Sequence, residues 1–504
     1  MSYNGSGTFQ INTSGQPVVA GTVISATAFN ALTADLATGL STAITKDGQT
    51  TTTARIPFAA GINSTLTTDS SSVSTGSIIT AGGVGVAKNL YVGVNANVAG
   101  TLGVTGVATL GAGAILNTPA SATLTNATGL PLTTGVTGVL PETNGGTGTT
   151  TGYYGFKNRL INGQMVIDQR NAGASVTPAS AVTTYTLDRW SFYPTQVSKF
   201  TTQQNAGSIT PPAGFTNYLG VTSSSAYSVT SGDLFVLQQQ IEGFNVSDLG
   251  WGTASAATVT LSFWVRSSLT GTFGGVLQNS AQNRTYPFTF AISSANTWEQ
   301  KTITVSGDTT GTWLTNNGIG LRIVFGLGVG STYSGTAGAW SGSTLFSTTG
   351  ATSVVGTNGA TFYITGVQLE KGSTATSFDY RPYGTELQLC KRYYDKTFAI
   401  NTAPAQNAGR NGALETFAVR AAGATGLSSY FRFSVPMRAT PSTVTIYNPS
   451  AANAQARNLD TSSDCSGTDV DSMNEIGGKF RYVLPASTTS INLISVHWSA
   501  DAEL

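Results

Sequence analysis

All seven tryptophans of this chain lie beyond residue 150, together with forty of its 24 basic and 23 acidic residues. The first 150 residues hold only Asp35, Lys46, Asp47, Arg55, Asp69, Lys88 and Glu142 as charges. A stretch with few bulky side chains buries too little apolar surface to offset the entropy of ordering its backbone alone. The chain therefore divides into a thin N-terminal part that needs partners and a C-terminal part able to build its own core. Charged residues make up 9% of the whole, against about 25% in an average domain. Ser, Thr, Asn and Gln take over as the polar surface.

This economy of charge removes several functions. The net charge is +1 with no basic cluster, so no nucleic-acid partner is expected, because phosphate neutralisation needs clustered Lys and Arg. A single His rules out a multi-His metal site, and Cys390 and Cys465 alone make neither a Cys-rich zinc site nor a disulfide framework. Whether those two pair is open at this level. The N-terminus MSYNGSGTFQ has no basic and apolar leader, so no signal peptide is expected. Val98 to Leu116 is uncharged over nineteen residues, but eight of them are Gly or Thr and no Trp/Tyr belt marks either end. No membrane insertion is expected.

One helical signal precedes residue 70. Phe29, Leu32, Leu36, Leu40 and Ile44 recur at spacings of three and four, with Ser25 or Thr27 placed to cap the start. This stripe is as narrow as a coiled-coil seam. It suits either packing within a short domain or association between chains. From Ser74 to Gly113 small apolar residues alternate with Gly, Thr and Asn, which reads as brief strands with tight turns that one chain cannot stabilise. LPETNGGTGTTTGYYG, Leu140 to Gly155, is a hinge by composition.

Beyond the hinge the text changes to long alternating strands with aromatics: Thr184 to Tyr193, Leu234 to Ile241, Thr258 to Arg266, Thr285 to Ile292, Thr297 to Val305, Ile319 to Leu327 and Thr361 to Leu369. Val259, Leu261, Phe263 and Val265 share one face of their strand. The expected class is mainly β: a helix-containing N-terminal module (1–70), a fibrous β shaft and linker (71–150), an antiparallel jelly-roll sandwich (151–385) and a smaller C-terminal β domain (386–504). A short helix is expected over Thr385 to Asp395. Strands of the last domain are expected over Phe417 to Arg420, Tyr430 to Arg438, Ser442 to Tyr447, Phe480 to Leu484 and Ser490 to His497.

Several pieces of this text, in this order, carry a resemblance. GQPVVAGTVISATAFNALTADLATGLSTAITKDGQTT resembles the N-terminal module of tailed-phage fibre proteins, and SIITAGGVGVAKNLYVGVNANVAGTLGVTG resembles their shaft repeats. LPETNGGTGTT is similar to the punctuation before their distal domains. KNRLINGQMVIDQRNAG, YTLDRW and VQLEKGSTATSFDYRPYGTELQLCKRYY resemble a jelly-roll domain of fibre tips that is similar to carbohydrate-binding modules. The resemblance implies a homotrimer, an N-terminus docked on a tail or baseplate protein of the virion, and a distal part that meets a host cell-surface glycan. A surface like that of an exported protein without an export signal suits a protein made in a cytoplasm and released by lysis, so the expectation is a virion-tail protein made in the host cytoplasm, with no cofactor and no enzymatic activity. A polysaccharide-depolymerising tailspike and a fibre that binds nothing are the alternatives.

The chemistry-bearing residues are few. Glycoside hydrolysis asks for two carboxylates at a set separation; Asp168, Asp188, Asp233, Glu242, Asp248, Glu299, Asp308, Glu370 and Asp379 are the stock, and no tandem motif marks a pair. His497 lacks a G-x-S-x-G companion and reads as a packing or surface residue. GLGVGS from Gly326 has no helix or Lys after it, so it is no phosphate loop. No loop has calcium-ligand spacing, and a metal is left unassigned. Sugar binding needs exposed aromatic faces with amides nearby. Among Trp190, Trp251, Trp264, Trp298, Trp313 and Trp340, the Gly-flanked Trp251 and Trp340 are the preferred exposed pair, with Tyr333 as a third candidate. Binding by such stacking is expected to depend little on salt.

Overall fold

Ser25 starts the first element. Its Oγ accepts the Ala28 N–H at 3.2 Å and its carbonyl accepts the Phe29 N–H at 3.1 Å, an N-cap ahead of α1 (Ala26–Ser41). The computed structural model describes residues 19–41, 58–67, 72, 74–106, 109, 156–486 and 491–504. The chain falls into two compact units, Met1–Thr123 and Leu124–Leu504.

Within the first unit the apolar stripe of α1 is largely open to solvent: Phe29, Leu36 and Leu40 are exposed and Leu32 is half-buried. Ile44 lies outside the described residues, as do 111–155 with the hinge. The stretch 74–106 forms no hydrogen-bonded strand. Bends recur at 81–82, 87–88, 93–94, 99–100 and 105–106, with tetrapeptides outside any helix, strand or turn between them. This six-residue period places Val86, Val92, Val98 and Val104 at the same point of each repeat. Strand pairing expected from the alternation is therefore absent from the described residues of this single chain; what the sequence encodes there is a regularly bent backbone.

The second unit is antiparallel β. Thirteen strands are described between Thr184 and Lys371: β1 (Thr184–Leu187), β2 (Trp190–Pro194), β3 (Phe200–Gln204), β4 (Leu219–Ser223), β5 (Leu234–Glu242), β6 (Val259–Ser267), β7 (Gly271–Gln278), β8 (Thr285–Ile292), β9 (Glu299–Val305), β10 (Ile319–Val329), β11 (Ser334–Gly335), β12 (Ser347–Thr348) and β13 (Thr361–Lys371). A six-stranded sheet, β1-β2-β5-β10-β7-β8, faces a five-stranded one, β3-β4-β13-β6-β9, a sandwich of jelly-roll type. Strand alternation decides what lies between them. Phe235, Leu237, Phe273, Leu277, Leu321, Ile323, Phe325 and Leu327 of one sheet meet Val259, Leu261, Phe263, Val265, Phe362 and Ile364 of the other, all buried. Phe263, Phe290 and Phe325 pack edge to face at 5.0–6.3 Å, the arrangement their ring quadrupoles favour.

Helix α2 (Tyr383–Lys391) follows Pro382. It ends earlier than the sequence suggests, because Tyr394 pairs with Asp501 and opens β14 (Tyr394–Lys396). The boundary drawn between 385 and 386 falls inside α2. Beyond it lie β15 (Leu414–Ala418), β16 (Thr425–Leu427), β17 (Phe431–Arg432), β18 (Thr443–Tyr447), β19 (Arg457–Asn458), β20 (Ser463–Asp464), β21 (Ser466–Asp471), β22 (Gly477–Val483) and β23 (Asn492–Asp501). Strand β23 is the spine: β14 and β18 flank its C-terminal half, β15 and β19 its N-terminal half. β22 carries β16, β17 and β21, and Phe431, Phe480, Tyr482 and Trp498 fill the space between the two sheets.

An ionic junction joins this region to the sandwich. Arg189, in the β1–β2 hairpin, lies 3.6 Å above the Tyr393 ring and pairs with Glu503. Arg170 bonds Asp501 at 2.7 Å and Glu503 at 2.9 Å, with its guanidinium over Tyr394. Arg392 grips Glu242 through two bonds of 2.9 and 2.6 Å.

Candidate functional site

The outward face of the six-stranded sheet is built in two halves. On β10, β5 and β7 the register aligns Gln240, Arg322 and Gln278 in one row, and Gln238, Val324 and Val276 in the next. One row further lie Gly326 and the neighbouring Gly274. A Cβ at either would come within 2.6 Å of Ser347 Oγ, so only glycine lets β12 lie against the sheet there. The segment from Ser331 to Thr349 uses this room to strap across the face. It pairs β11 with β12, seats Leu345 and Phe346 on Val236, Val276 and Val324, and takes a hydrogen bond from the Gln278 amide on the Leu345 carbonyl. The glycine half is covered; the glutamine and arginine half is left open.

What remains is a cleft of about 360 Å³. Tyr193, Tyr333 and Phe346 supply its rings, Gln238, Gln240, Gln282, Thr183 and Thr344 its amides and hydroxyls, and Arg322 its charge. Tyr333 is half-buried, edge-on to Phe346 at 5.8 Å, and its carbonyl accepts the Phe346 N–H at 2.8 Å, which fixes the strap's entry into the cleft. Arg322 is 6% exposed. Its Nη1 reaches Gln278 Oε1 only at 3.4 Å, and its buried Nε has no partner. Among the described residues no carboxylate pairs with it, and burial pulls its guanidinium down to about 10. Gln240 Oε1 is likewise buried without a partner. The cleft is a ring-walled slot whose lining holds one desolvated cation and no carboxylate.

The tryptophans expected to be exposed sit elsewhere. Trp251 is buried, contrary to expectation: Gly250 and Gly252 on either side have positive φ, 62° and 84°, and turn the ring inward rather than out. It packs edge to face on Trp313 at 4.7 Å and Trp340 at 5.3 Å, and its Nε1 donates to the Ala257 carbonyl. Trp340, half-buried, completes the triangle and donates to the Ser306 carbonyl at 2.9 Å. Trp251 and Trp313 also line a small hollow of about 170 Å³ with Leu249, Leu314 and Leu321. So Trp251 and Trp340 come together as packing partners, while Tyr333 belongs to the cleft. The cleft's polar floor was missed in the sequence. The signal for it was LQQQIE, three glutamines in an otherwise apolar strand, and the lone Arg of IGLRIVFG.

Each candidate carboxylate already has work. Asp168 caps the backbone N–H groups of Arg170, Asn171 and Gly173. Asp188 accepts from Gln169, and Asp233 from Thr195, Tyr227 and Thr230. Asp248 meets Arg159, Glu299 meets Lys301, and Asp308 holds Arg284 through two bonds of 2.7 Å. Glu370 binds Thr376, and Asp379 accepts the Asn158 N–H. None lines the cleft. His497 is buried and stacked on Phe398 at 4.2 Å; its Nε2–H donates to the Gly409 carbonyl and Nδ1 lies 2.8 Å from Thr397 Oγ1. It is a packing residue kept neutral by burial. Cys390 and Cys465 are both free and buried. Among the described residues no three His, Cys, Asp or Glu converge as metal ligands, and no helix is long and apolar enough to cross a membrane.

No family model matches this chain, and no curated protein matches it. Solved structures do. The chain is similar to the enzymatically active domain of tailspike protein 4 of bacteriophage CBA120, at 13% identity and a TM-score of 0.25 over 43% of this chain and 22% of that one. It is similar to TmCBM61 in complex with β-1,4-galactotriose, at 10% identity and a TM-score of 0.23 over 43% of this chain and 99% of that one. It is also similar to a family 11 carbohydrate-binding module of Clostridium thermocellum in complex with a β-1,3-1,4-mixed-linked tetrasaccharide, at 10% identity and a TM-score of 0.21 over 40% of this chain and 97% of that one.

Proposed function

We propose that this chain is a homotrimeric tail fibre of a tailed-phage virion, not an enzyme, and that it attaches to a host surface glycan through the cleft of the six-stranded sheet. The observation that carries the reading is the open half of that sheet's face. Rings of Tyr193 and Tyr333 suit the CH-rich faces of a pyranose, and the amides of Gln238, Gln240 and Gln282 suit its hydroxyls. Hydrolysis would need two carboxylates flanking the scissile bond, and the residues lining the cleft include none. The fibre part of the reading rests on the ordered pieces of resemblance, on the solvent-open stripe of α1 and on the six-residue repeat. Three weak sites on one trimer gain affinity through effective concentration.

The test is binding of the full chain to a panel of surface polysaccharides, with the polysaccharide sized before and after. Tyr333→Ala should weaken binding by about 0.5–1.5 kcal/mol per site and leave the melting temperature nearly unchanged. Shortening of the polysaccharide would establish the tailspike alternative; binding to no glycan would leave the architectural one. Light scattering should return three times the 51.8 kDa chain mass, and a mass near one chain would overturn the trimer.

A further inference from the structure

Three other arginines of the second unit, Arg170, Arg189 and Arg381, also have a buried Nε without a hydrogen-bond partner. Each of them, however, faces a carboxylate: Asp501 with Glu503, Glu503, and Asp379 with Glu386. Their charges are answered inside the protein. Arg322 is buried as deeply as most of them and is answered by none among the described residues. Burying a cation with no counter-charge costs several kcal/mol in a protein interior. A site that carries such a cost at the floor of an open cleft is complementary to a missing anion.

We propose that the cleft selects an anionic glycan, with the guanidinium of Arg322 binding one negatively charged substituent — a uronate carboxylate, a sulfate ester or a phosphodiester — in the sugar chain. This deepens the glycan reading above and rests on it. The geometry is specific. A planar guanidinium presents its N–H groups in pairs, a fork that takes two oxygens of an anion side by side. Gln240, aligned with Arg322 across the β5–β10 ladder, lines the same cleft, and its amide suits a hydroxyl next to the anionic group. Gln238, in the next row, and Thr344 and Tyr333 at the strap edge surround the same spot. Because no carboxylate lines the cleft, nothing repels the anion. A buried ion pair is screened far less than an exposed one, so this ionic contact should persist at moderate salt.

The experiment measures binding of the full-length protein to acidic polysaccharides and to the same polymers after chemical removal of the charge. Oligogalacturonate and alginate are compared with their carboxyl-reduced forms, chondroitin sulfate with its desulfated form, and a glycerol-phosphate polymer with a neutral glucan. All are measured at about 0.5 M salt, where non-specific attraction between surface charges is largely screened. The three pairs separate carboxylate, sulfate and phosphate as the source of the charge. The expected result is a preference of about tenfold or more for one acidic form over its neutral counterpart. Arg322→Gln should abolish the preference and Arg322→Lys, which keeps the charge but loses the fork, should retain only part of it. Thermal melts of both variants establish that they fold, and Arg322→Lys alone decides the matter if Arg322→Gln does not. Equal binding of acidic and neutral forms by the wild type, or a preference untouched in both variants, overturns the proposal while leaving glycan binding intact. Capture of no polymer by the wild type overturns the glycan reading and this proposal with it.

Discussion

Arg189 and Arg322 come from the same sheet and are buried to a similar depth, at 2% and 6% exposure. At the junction with the C-terminal sheets, Arg189 stacks on Tyr393, pairs with Glu503 and donates to the Gln240 carbonyl. In the cleft, Arg322 stands over a wall of amides with one long contact to Gln278. The first arrangement spends its polar chemistry on holding two β regions together. The second leaves its chemistry unspent, facing solvent-accessible space. A buried charge is evidence of function only when its partners are missing, and the sandwich presents both cases side by side.

The comparison can be broken at the junction first. Glu503→Gln should leave Arg189 buried without its counter-charge and Arg170 with Asp501 alone, lowering stability by about 3–5 kcal/mol. Denaturant titration of the purified chain measures it; a loss under about 1 kcal/mol would mean the junction is no more committed than the cleft. A second, smaller effect is a pH dependence. Burial raises Asp188 from 3.8 to about 6, against the pull of Arg170 and the Gln169 hydrogen bonds. The folded state then holds a proton that the unfolded state has released. The stability Asp188 contributes is complete below its unfolded value of 3.8 and declines as pH rises through about 6, by up to about 3 kcal/mol. Asp233, held near 2 by hydrogen bonds from Thr230, Thr195 and Tyr227 despite its burial, titrates below this window. Unfolding free energies taken across pH 4 to 6 should therefore change with a more negative slope in the wild type than in Asp188→Asn, while His497, whose pKa burial lowers, adds the same opposite-signed slope to both. The smallest effect has the opposite sign. Arg322→Met removes an unanswered cation and should raise stability by about 1–2 kcal/mol while damaging binding, the trade expected of a functional site. A variant less stable than wild type would place Arg322 with the structural arginines.

Much of the sandwich was legible because its strands obey a two-residue period. Thr285 to Ile292 has the limits read from sequence, and Val259, Leu261, Phe263 and Val265 share the buried face. Strand β7, GTFGGVLQ, was invisible because glycines mark turns more often than strands; here Gly274 exists for the strap that lies on it. The cleft was invisible for a topological reason. Alternation puts Gln238 and Gln240 on the face opposite Leu237, but nothing in the local text says that β10 lies between β5 and β7. Glycine flanks suggest a protruding loop for Trp251, but Gly250 and Gly252 adopt left-handed backbone and the ring packs into a triangle with Trp313 and Trp340.

The six-residue spacing of the bends in 74–106 sets a rule for how this segment can change in length. Loss or gain of one whole hexad keeps Val86, Val92, Val98, Val104 and their equivalents in phase, so each valine arrives where its predecessor stood. A change of three residues puts every later valine half a repeat out of step and presents a bend where the tetrapeptide between bends belongs. Growth by modules of eighteen nucleotides is thus the natural unit of tinkering for this part of the gene, and each module alters reach without redrawing the surface that the repeat displays.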